Sequence, residues 1–467
     1  MRPLFIKTFG CKVNYAESVA FADLVSEAGF TPLEIGAAKL PTPGELERPL
    51  VFVNTCCVTK EAERKAAQFV RRIKRSHPHS EVLLTGCAAR NHLTRQQYLD
   101  AGARVFDFYP QAFEWIEEQQ AASAHQSSGI SHQLAESATP FDAGIVQTAR
   151  SRAFIKVQDG CRNMCTFCII PFVRPYASRP FEEILEEVER RVEAGFRELV
   201  LTGVNIGHYG MTPVDTVENI ASDKYWRRSK LYTRAAGHPT FFDLVDAILE
   251  RLPCGVRLRI SSIEPEDIDD RFFGQLQHPR MCPHLHLPLQ SGSDKVLSGM
   301  RRLYGVAEYM ALVEKFRRAC PDGARTTDIL VGFPSESADD FAQTLALCNE
   351  AQFERIHGFP FSPRPGTRAA KLTQLPRATV LERNRRLIAH CQDISDQRWK
   401  RLLGTASQVL VEKRQNGHFI GHGEAYQMVS IPANGLSSSK ADELIGRIVP
   451  AELTGYAGGR FAGRMLT

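Results

Sequence analysis

Three of the twelve cysteines in this 467-residue chain crowd into one short stretch, Cys161-Arg-Asn-Met-Cys165-Thr-Phe-Cys168. Thiolates bind metals and act as nucleophiles, so a C-x3-C-x2-C spacing invites both readings. Structural zinc takes four protein ligands, and no fourth Cys or His lies nearby, so the trio fits zinc poorly. A cubane [4Fe–4S] cluster can be held by three thiolates, with one iron open to a ligand from outside the protein. The trio follows the apolar run Ala153-Phe-Ile-Lys-Val157, which places it in the loop leaving a strand.

A second set of cysteines is dispersed. Leu4 to Gly10 leads into Cys11, Leu50 to Thr55 into Cys56, and Glu81 to Gly86 into Cys87. Each is a β-type run closing on small or polar residues and then a Cys. Helical patterns lie between them, such as Ala16 to Ala28, so the unit reads as βαβαβ with parallel strands. Ligands gather at the carboxyl ends of such strands, where the three thiols could meet as a second site. Cysteines are also common small core residues in strands, and spacing alone leaves both readings open. Cys57 breaks the pattern and is left out. Cys254, Cys282, Cys320, Cys348 and Cys391 are isolated and read as packing residues.

The elements that must position these thiols form an α/β chain of several domains. Residues 1–120 make the first α/β unit, and 121–149 are small, polar and aperiodic, as in a surface linker. Over 150–400 strands and helices alternate. The expected strands are Ala153–Gln158, Glu198–Thr202, Val256–Ser261, His284–Leu289, Thr327–Val331 and Arg355–Phe359. Pro180 marks a helix start, and Thr240 with Asp243 and Ser337 with Asp340 read as capping boxes. Six such strands imply an incomplete (βα) barrel with its site at the strand carboxyl ends. There Thr202, Gly203, Ser261, Ser262 and Gln290 are candidate cofactor or substrate contacts. His284 and His286 alternate on one strand face and read as core residues. The polar stretch Gly207–Pro239 interrupts the alternation as an insertion over the barrel mouth. Residues 401–467 are short β-type runs with Gly and Pro between them, as in a small OB-like β-barrel.

Lys+Arg 58 against Asp+Glu 53 gives a net charge of +5. That charge permits a nucleic-acid partner without demanding one. It is concentrated in Lys60–Arg75, where seven basic residues face two acidic ones. No apolar run is long enough for a membrane span, and the early charged residues at the N-terminus do not read as a signal peptide. A thiol-rich chain without a disulfide framework belongs in a reducing cytoplasm.

The Cys161–Cys168 motif, with an aromatic before its last Cys, resembles the radical S-adenosylmethionine signature. Phe9-Gly-Cys-Lys-Val-Asn14, Asn54-Thr-Cys56, Thr85-Gly-Cys87, Gln158-Asp-Gly-Cys-Arg-Asn163, Leu289-Gln-Ser-Gly-Ser-Asp294, Val331-Gly-Phe-Pro334 and Phe361-Ser-Pro-Arg-Pro-Gly-Thr367 resemble the methylthiotransferase family. The sequence departs from it at Val173-Arg-Pro-Tyr-Ala-Ser178, where a Gly usually follows the Arg, and in the Gly207–Pro239 insertion.

The resemblance implies two [4Fe–4S] clusters, one on Cys161, Cys165 and Cys168 and an auxiliary one on Cys11, Cys56 and Cys87. It implies S-adenosylmethionine as both radical source and methyl donor, and a one-electron donor such as flavodoxin or ferredoxin. It places Thr202-Gly203 near the methionine amine and makes the C-terminal barrel a TRAM-like RNA-binding module. Gly10 to Asn14, Arg259-Ile-Ser-Ser-Ile-Glu-Pro265 and Arg355 to Arg364 resemble the branch acting on N6-threonylcarbamoyladenosine at position 37, in the tRNA anticodon stem-loop. The rival expectations are a ribosomal-protein aspartate methylthiotransferase and a non-catalytic iron–sulfur RNA-binding redox sensor. The sensor needs no open (βα) barrel around its cluster.

Overall fold

The computed structural model describes residues 2–35, 48–125, 151–214, 232–234, 236–433 and 437–466. Most of the expected linker, from residue 126 onward, lies outside the described residues, as does 215–231 of the expected insertion. The chain divides into two compact units. The first is Met1–Ala149 with Ile169–Pro175, and the second is Arg150–Cys168 with Tyr176–Thr467.

In the first unit, apolar runs form β1 (Arg2–Thr8), β3 (Leu50–Thr55) and β4 (Glu81–Gly86). The whole of β3 is buried, as expected of a central parallel strand covered on both faces. Two strands had no clear sequence signal, β2 (Phe30–Glu34) and β5 (Arg104–Val105). They flank the others in the all-parallel order β2-β1-β3-β4-β5. β2 contains Pro32 and is mostly half-buried, which only an edge strand tolerates. Helix α1 (Lys12–Glu27) sends Phe21 to stack on Phe52 of β3 at 3.7 Å. Helix α2 (Lys60–Ser76) is capped by Thr59 and buries Ala66, Phe69, Val70 and Ile73. Its Arg64, Lys65, Arg71, Arg72 and Arg75 are exposed.

The second unit contains the six anticipated strands: β6 (Arg152–Lys156), β7 (Glu198–Thr202), β8 (Arg257–Ile260), β9 (His284–His286), β10 (Ala324–Val331) and β11 (Arg355–Pro360). They form two parallel three-stranded sheets, β8-β7-β6 and β9-β10-β11. The parallel bridge Leu258–Met281 joins them into an open array. Both expected capping boxes form. Pro180 is the N-cap of its helix, one position before the expected place. His284 and His286 share the Thr326 hydroxyl, at 3.1 and 2.8 Å, as core residues do.

Helix α3 (Arg377–Lys400) leads into a closed barrel of β12 (Ala406–Gln415), β13 (His418–His422), β14 (Met428–Pro432), β15 (Ile448–Ala457) and β16 (Arg460–Met465). The last strand had no sequence signal, because its apolar positions are short and interrupted by Gly463. Trp399 of α3 packs edge-on against Phe461 in the barrel core. Among the described residues no helix is long and apolar enough to cross a membrane.

Candidate iron–sulfur sites

Cys11, Cys56 and Cys87 follow the carboxyl ends of β1, β3 and β4, which are neighbours in the sheet. The register pairs Thr8 with Asn54 and Thr55 with Gly86, so the three ends are level. Backbone geometry then crowds the thiols. Gly10 has φ +123°, and a Cβ there would stand 2.7 Å from Cβ of Cys56. Gly86 has φ +98°, and its Cβ would meet the Thr55 carbonyl oxygen at 2.3 Å. Glycine is needed at both for conformation and for space.

Two buried asparagines tie the loops together. Asn14 Nδ2 donates to Asn54 Oδ1 at 2.7 Å and to the Thr55 carbonyl at 2.8 Å, while Asn54 Nδ2 donates to the Asn14 carbonyl at 2.9 Å. Arg174 Nε donates to Cys87 Sγ at 3.0 Å. Cys57, set aside on sequence pattern, is fully buried and hydrogen-bonds Cys87. That bond, with Arg174 and Arg90 overcoming burial, holds the Cys87 thiol down to about 5. Burial, then Cys87 and Cys11 as neighbours, push Cys56 up to about 12. Cys282, Cys320, Cys348 and Cys391 are buried as packing residues, but Cys254 is exposed.

In the second unit, Cys161, Cys165 and Cys168 occupy the loop after β6, with Met164 at φ +54° turning it. The Asn163 amide donates to Cys161 Sγ at 3.4 Å, and Arg302 Nη1 to Cys165 Sγ at 3.4 Å. Arg302 also pairs with Glu264, and Asn163 Nδ2 donates to Glu266 at 3.2 Å. Burial, then the neighbouring Glu264, push Glu266 up to about 8. Burial, then Cys165, push Cys161 up to about 12. Tyr232, from the described part of the insertion, accepts from the Arg162 amide and lies 3.9 Å from Cys161 Sγ. Its ring packs on His208 at 3.9 Å and Tyr176 at 5.4 Å. The insertion thus reaches the cysteine loop.

The other candidates fall at strand ends. Thr202 closes β7 and is buried, and a Cβ on Gly203 would come within 2.9 Å of the Gln158 carbonyl oxygen. Ser261 follows β8, and its buried hydroxyl has no hydrogen-bond partner. Ser262 beside it is partly exposed. Gln290 adopts φ +66° and bridges Ile329 of β10. Its position marks backbone strain of the kind found near functional sites. Spacing gave no indication of Arg302, Glu266 or Tyr232. Arg174 and Glu264 lay inside stretches compared with the family, Val173–Ser178 and Arg259–Pro265, with no role attached to either side chain.

Neither trio of thiols is drawn to coordinating distance: among the described residues no three Cys, His, Asp or Glu side chains have metal-ligating spacing. Their chemistry nevertheless fits an iron–sulfur cluster. Each trio offers sulfur donors only, with an arginine N–H directed at one sulfur, and N–H donors to ligand sulfur are a usual support for such clusters.

An open parallel array with a three-cysteine loop after its first strand agrees with what the resemblance to radical S-adenosylmethionine enzymes implies. The Radical SAM superfamily profile matches residues 155–348, and that of "Uncharacterized protein family UPF0004" matches residues 3–105. The threonylcarbamoyladenosine tRNA methylthiotransferase MtaB of Thermotoga maritima is 32% identical over 96% of this chain and 99% of its own length. The enzyme of that name from Rickettsia prowazekii is 32% identical over 97% and 95%. The tRNA-2-methylthio-N(6)-dimethylallyladenosine synthase of Syntrophotalea carbinolica is 30% identical over 97% of each. The radical S-adenosylmethionine methyltransferase TsrM from Kitasatospora setae shares the fold, with a TM-score of 0.51 at 13% identity over 79% of this chain and 75% of its own. The chain belongs to the methylthiotransferase family of radical S-adenosylmethionine enzymes. Membership carries with it a [4Fe–4S] cluster and S-adenosylmethionine.

Proposed function

We propose that this enzyme adds a methylthio group to C2 of N6-threonylcarbamoyladenosine at position 37 of tRNA. The observation that carries the reading is the pair of cysteine trios in one chain of this family, one spread over three level strand ends and one in the loop after β6. Cys161, Cys165 and Cys168 would hold the cluster that binds S-adenosylmethionine, and Cys11, Cys56 and Cys87 an auxiliary [4Fe–4S] cluster. When bound, these groups and S-adenosylmethionine supply the radical, the sulfur and the methyl group needed at an unactivated aromatic carbon.

The chain's own residues hold and shape this chemistry. Gly203 lets Gln158 and Ile206 pack closely at the end of β7, and Thr202, Ser261, Ser262 and Gln290 offer polar groups toward cofactor or substrate. The Ser261 hydroxyl, buried without a partner, is the most telling of them, because such a group asks for a ligand. Arg302 offsets Glu264 and donates to Cys165, and the packed Tyr232 ring limits water beside Cys161. The exposed basic face of α2 suits the phosphates of a tRNA anticodon stem-loop, and the C-terminal barrel suits RNA in the manner of a TRAM module. A one-electron donor such as flavodoxin or ferredoxin completes the requirements, in a reducing cytoplasm.

The threonylcarbamoyladenosine branch is favoured by Gly10 to Asn14, Arg259 to Pro265 and Arg355 to Arg364. Relatives named for either tRNA branch align over nearly the whole chain at similar identity, so overall identity does not separate them. Mass spectrometry of tRNA nucleosides from a deletion strain tests the proposal. We expect 2-methylthio-N6-threonylcarbamoyladenosine to vanish and to return with the wild-type chain but not with Cys161→Ala. A loss confined to the isopentenylated nucleoside would move the enzyme to the other tRNA branch. Unchanged tRNA would sink the tRNA reading and turn attention to the ribosomal aspartate.

A further inference from the structure

Arg174 is among the largest fully buried side chains of the protein. It lies in Ile169–Pro175, the seven residues after Cys168 that group with the first unit. Its guanidinium is used on two edges. Nη1 and Nη2 donate to the two carboxylate oxygens of Glu17, at 2.8 and 3.1 Å. Nε donates to Cys87 Sγ at 3.0 Å. Glu17 is itself held by Asn54 Nδ2 at 3.4 Å. The two-point grip of the carboxylate fixes the plane of the guanidinium, and the Nε–H is thereby directed at the sulfur. A lysine offers a point charge and cannot satisfy both partners in this way.

Burying an ion pair is costly, and well-packed apolar residues in its place are often no less stable. Stability is therefore a weak reason for this arrangement, whereas an N–H aimed at a candidate cluster ligand gives it a use. We propose that Arg174 is a positioning residue for the auxiliary cluster, holding Cys87 in place and raising that cluster's reduction potential through its N–H···S bond and positive charge. The proposal rests on the reading that Cys11, Cys56 and Cys87 carry that cluster. Reduction adds one electron and makes the cluster more negative, so a donor and a cation beside a ligand sulfur favour the reduced form. The segment leaving one cysteine trio thus carries the residue that tunes the other.

The test uses the full chain with Cys161, Cys165 and Cys168 all replaced by Ala, so that only the auxiliary site remains. It is reconstituted anaerobically with ferrous iron and sulfide. Failure of this parent to take up a cluster would overturn the ligand reading itself, and the role of Arg174 with it. With a cluster bound, Arg174→Gln, Arg174→Lys and Glu17→Gln are compared by redox titration monitored by electron paramagnetic resonance. We expect the midpoint potential to shift negative for Arg174→Gln and less so for Arg174→Lys, and to shift positive for Glu17→Gln, which removes the anion that offsets the guanidinium. Loss of iron from folded Arg174 variants would equally support the positioning role. Unchanged potentials at full iron content would overturn the proposal. Loss of far-ultraviolet circular dichroism in both Arg174 variants would also overturn it, by making the residue structural.

Discussion

At the residue scale, the trio Cys11, Cys56 and Cys87 is organised by asparagine side chains. Asn14 and Asn54 are both completely buried and satisfy each other across two cysteine loops. Asn54→Ala leaves the Asn14 amide and carbonyl short of partners, which costs roughly 1–3 kcal/mol for a buried polar group. The expected outcome is a lower denaturant midpoint together with less iron per chain after reconstitution. Cys57→Ala makes a finer test. It removes the thiol that hydrogen-bonds Cys87 while leaving all three proposed ligands. Iron content should stay at the wild-type level, and the apoprotein's alkylation profile against pH should shift, since Cys87 loses the largest influence lowering its pKa. A fall in iron to that of a Cys87→Ala variant would instead make Cys57 a ligand.

At the element scale, the parallel strands bring distant thiols level, and the glycines before two of them permit the approach. Gly86→Ala meets both a positive φ and a backbone oxygen at 2.3 Å, so the end of β4 must shift. A strained backbone of this kind costs about 1–3 kcal/mol, with the clash added. Chemical denaturation should show that loss, and iron uptake by Cys11, Cys56 and Cys87 should fall with it. The strands that carry cysteines were legible in the sequence because each is a continuous apolar run ending in a small residue. The edge strands β2 and β5 were not, since partly buried edges need no strong apolar pattern. The final barrel strand escaped for a similar reason, because it is stabilised by its neighbours rather than by its own composition.

At the scale of the whole second unit, Arg257 and Arg259 of β8 show how the barrel is attached. Both donate to the fully buried Glu198 of β7, at 2.6 and 2.7 Å. They also reach the barrel backbone, Arg257 at the Gln408 and His422 carbonyls and Arg259 at Gly423. The ring of Tyr426 stacks with His284 and His422 and lies under Arg259. Arg259, recognised as part of a branch-specific motif, is therefore a docking residue for the barrel. Burial alone would raise the Glu198 carboxyl, but Arg257 and Arg259 outweigh it and hold the group well below its ordinary value. Its contribution to stability is thus fully present above the unfolded carboxyl value of about 4.3 and is lost as pH falls through the lower folded value. Glu198→Gln leaves two buried guanidinium groups without their anion, a loss of about 3–5 kcal/mol. Denaturation measured at falling pH should show a lower and flatter stability profile for the variant than for the wild type.

The sequence by itself determined where the thiols stand along the chain and which of them follow the ends of strands. Cysteine spacing and strand periodicity are local, so a run of a few residues suffices to reveal them. Tertiary structure alone decided what surrounds each thiol. Arg174 meets Glu17 across 157 positions of sequence and Arg302 meets Cys165 across 137, and no periodicity marks either pairing. Such contacts depend on how loops fold back over the strand ends, and a polar side chain in a loop carries no sign of the partner it will find.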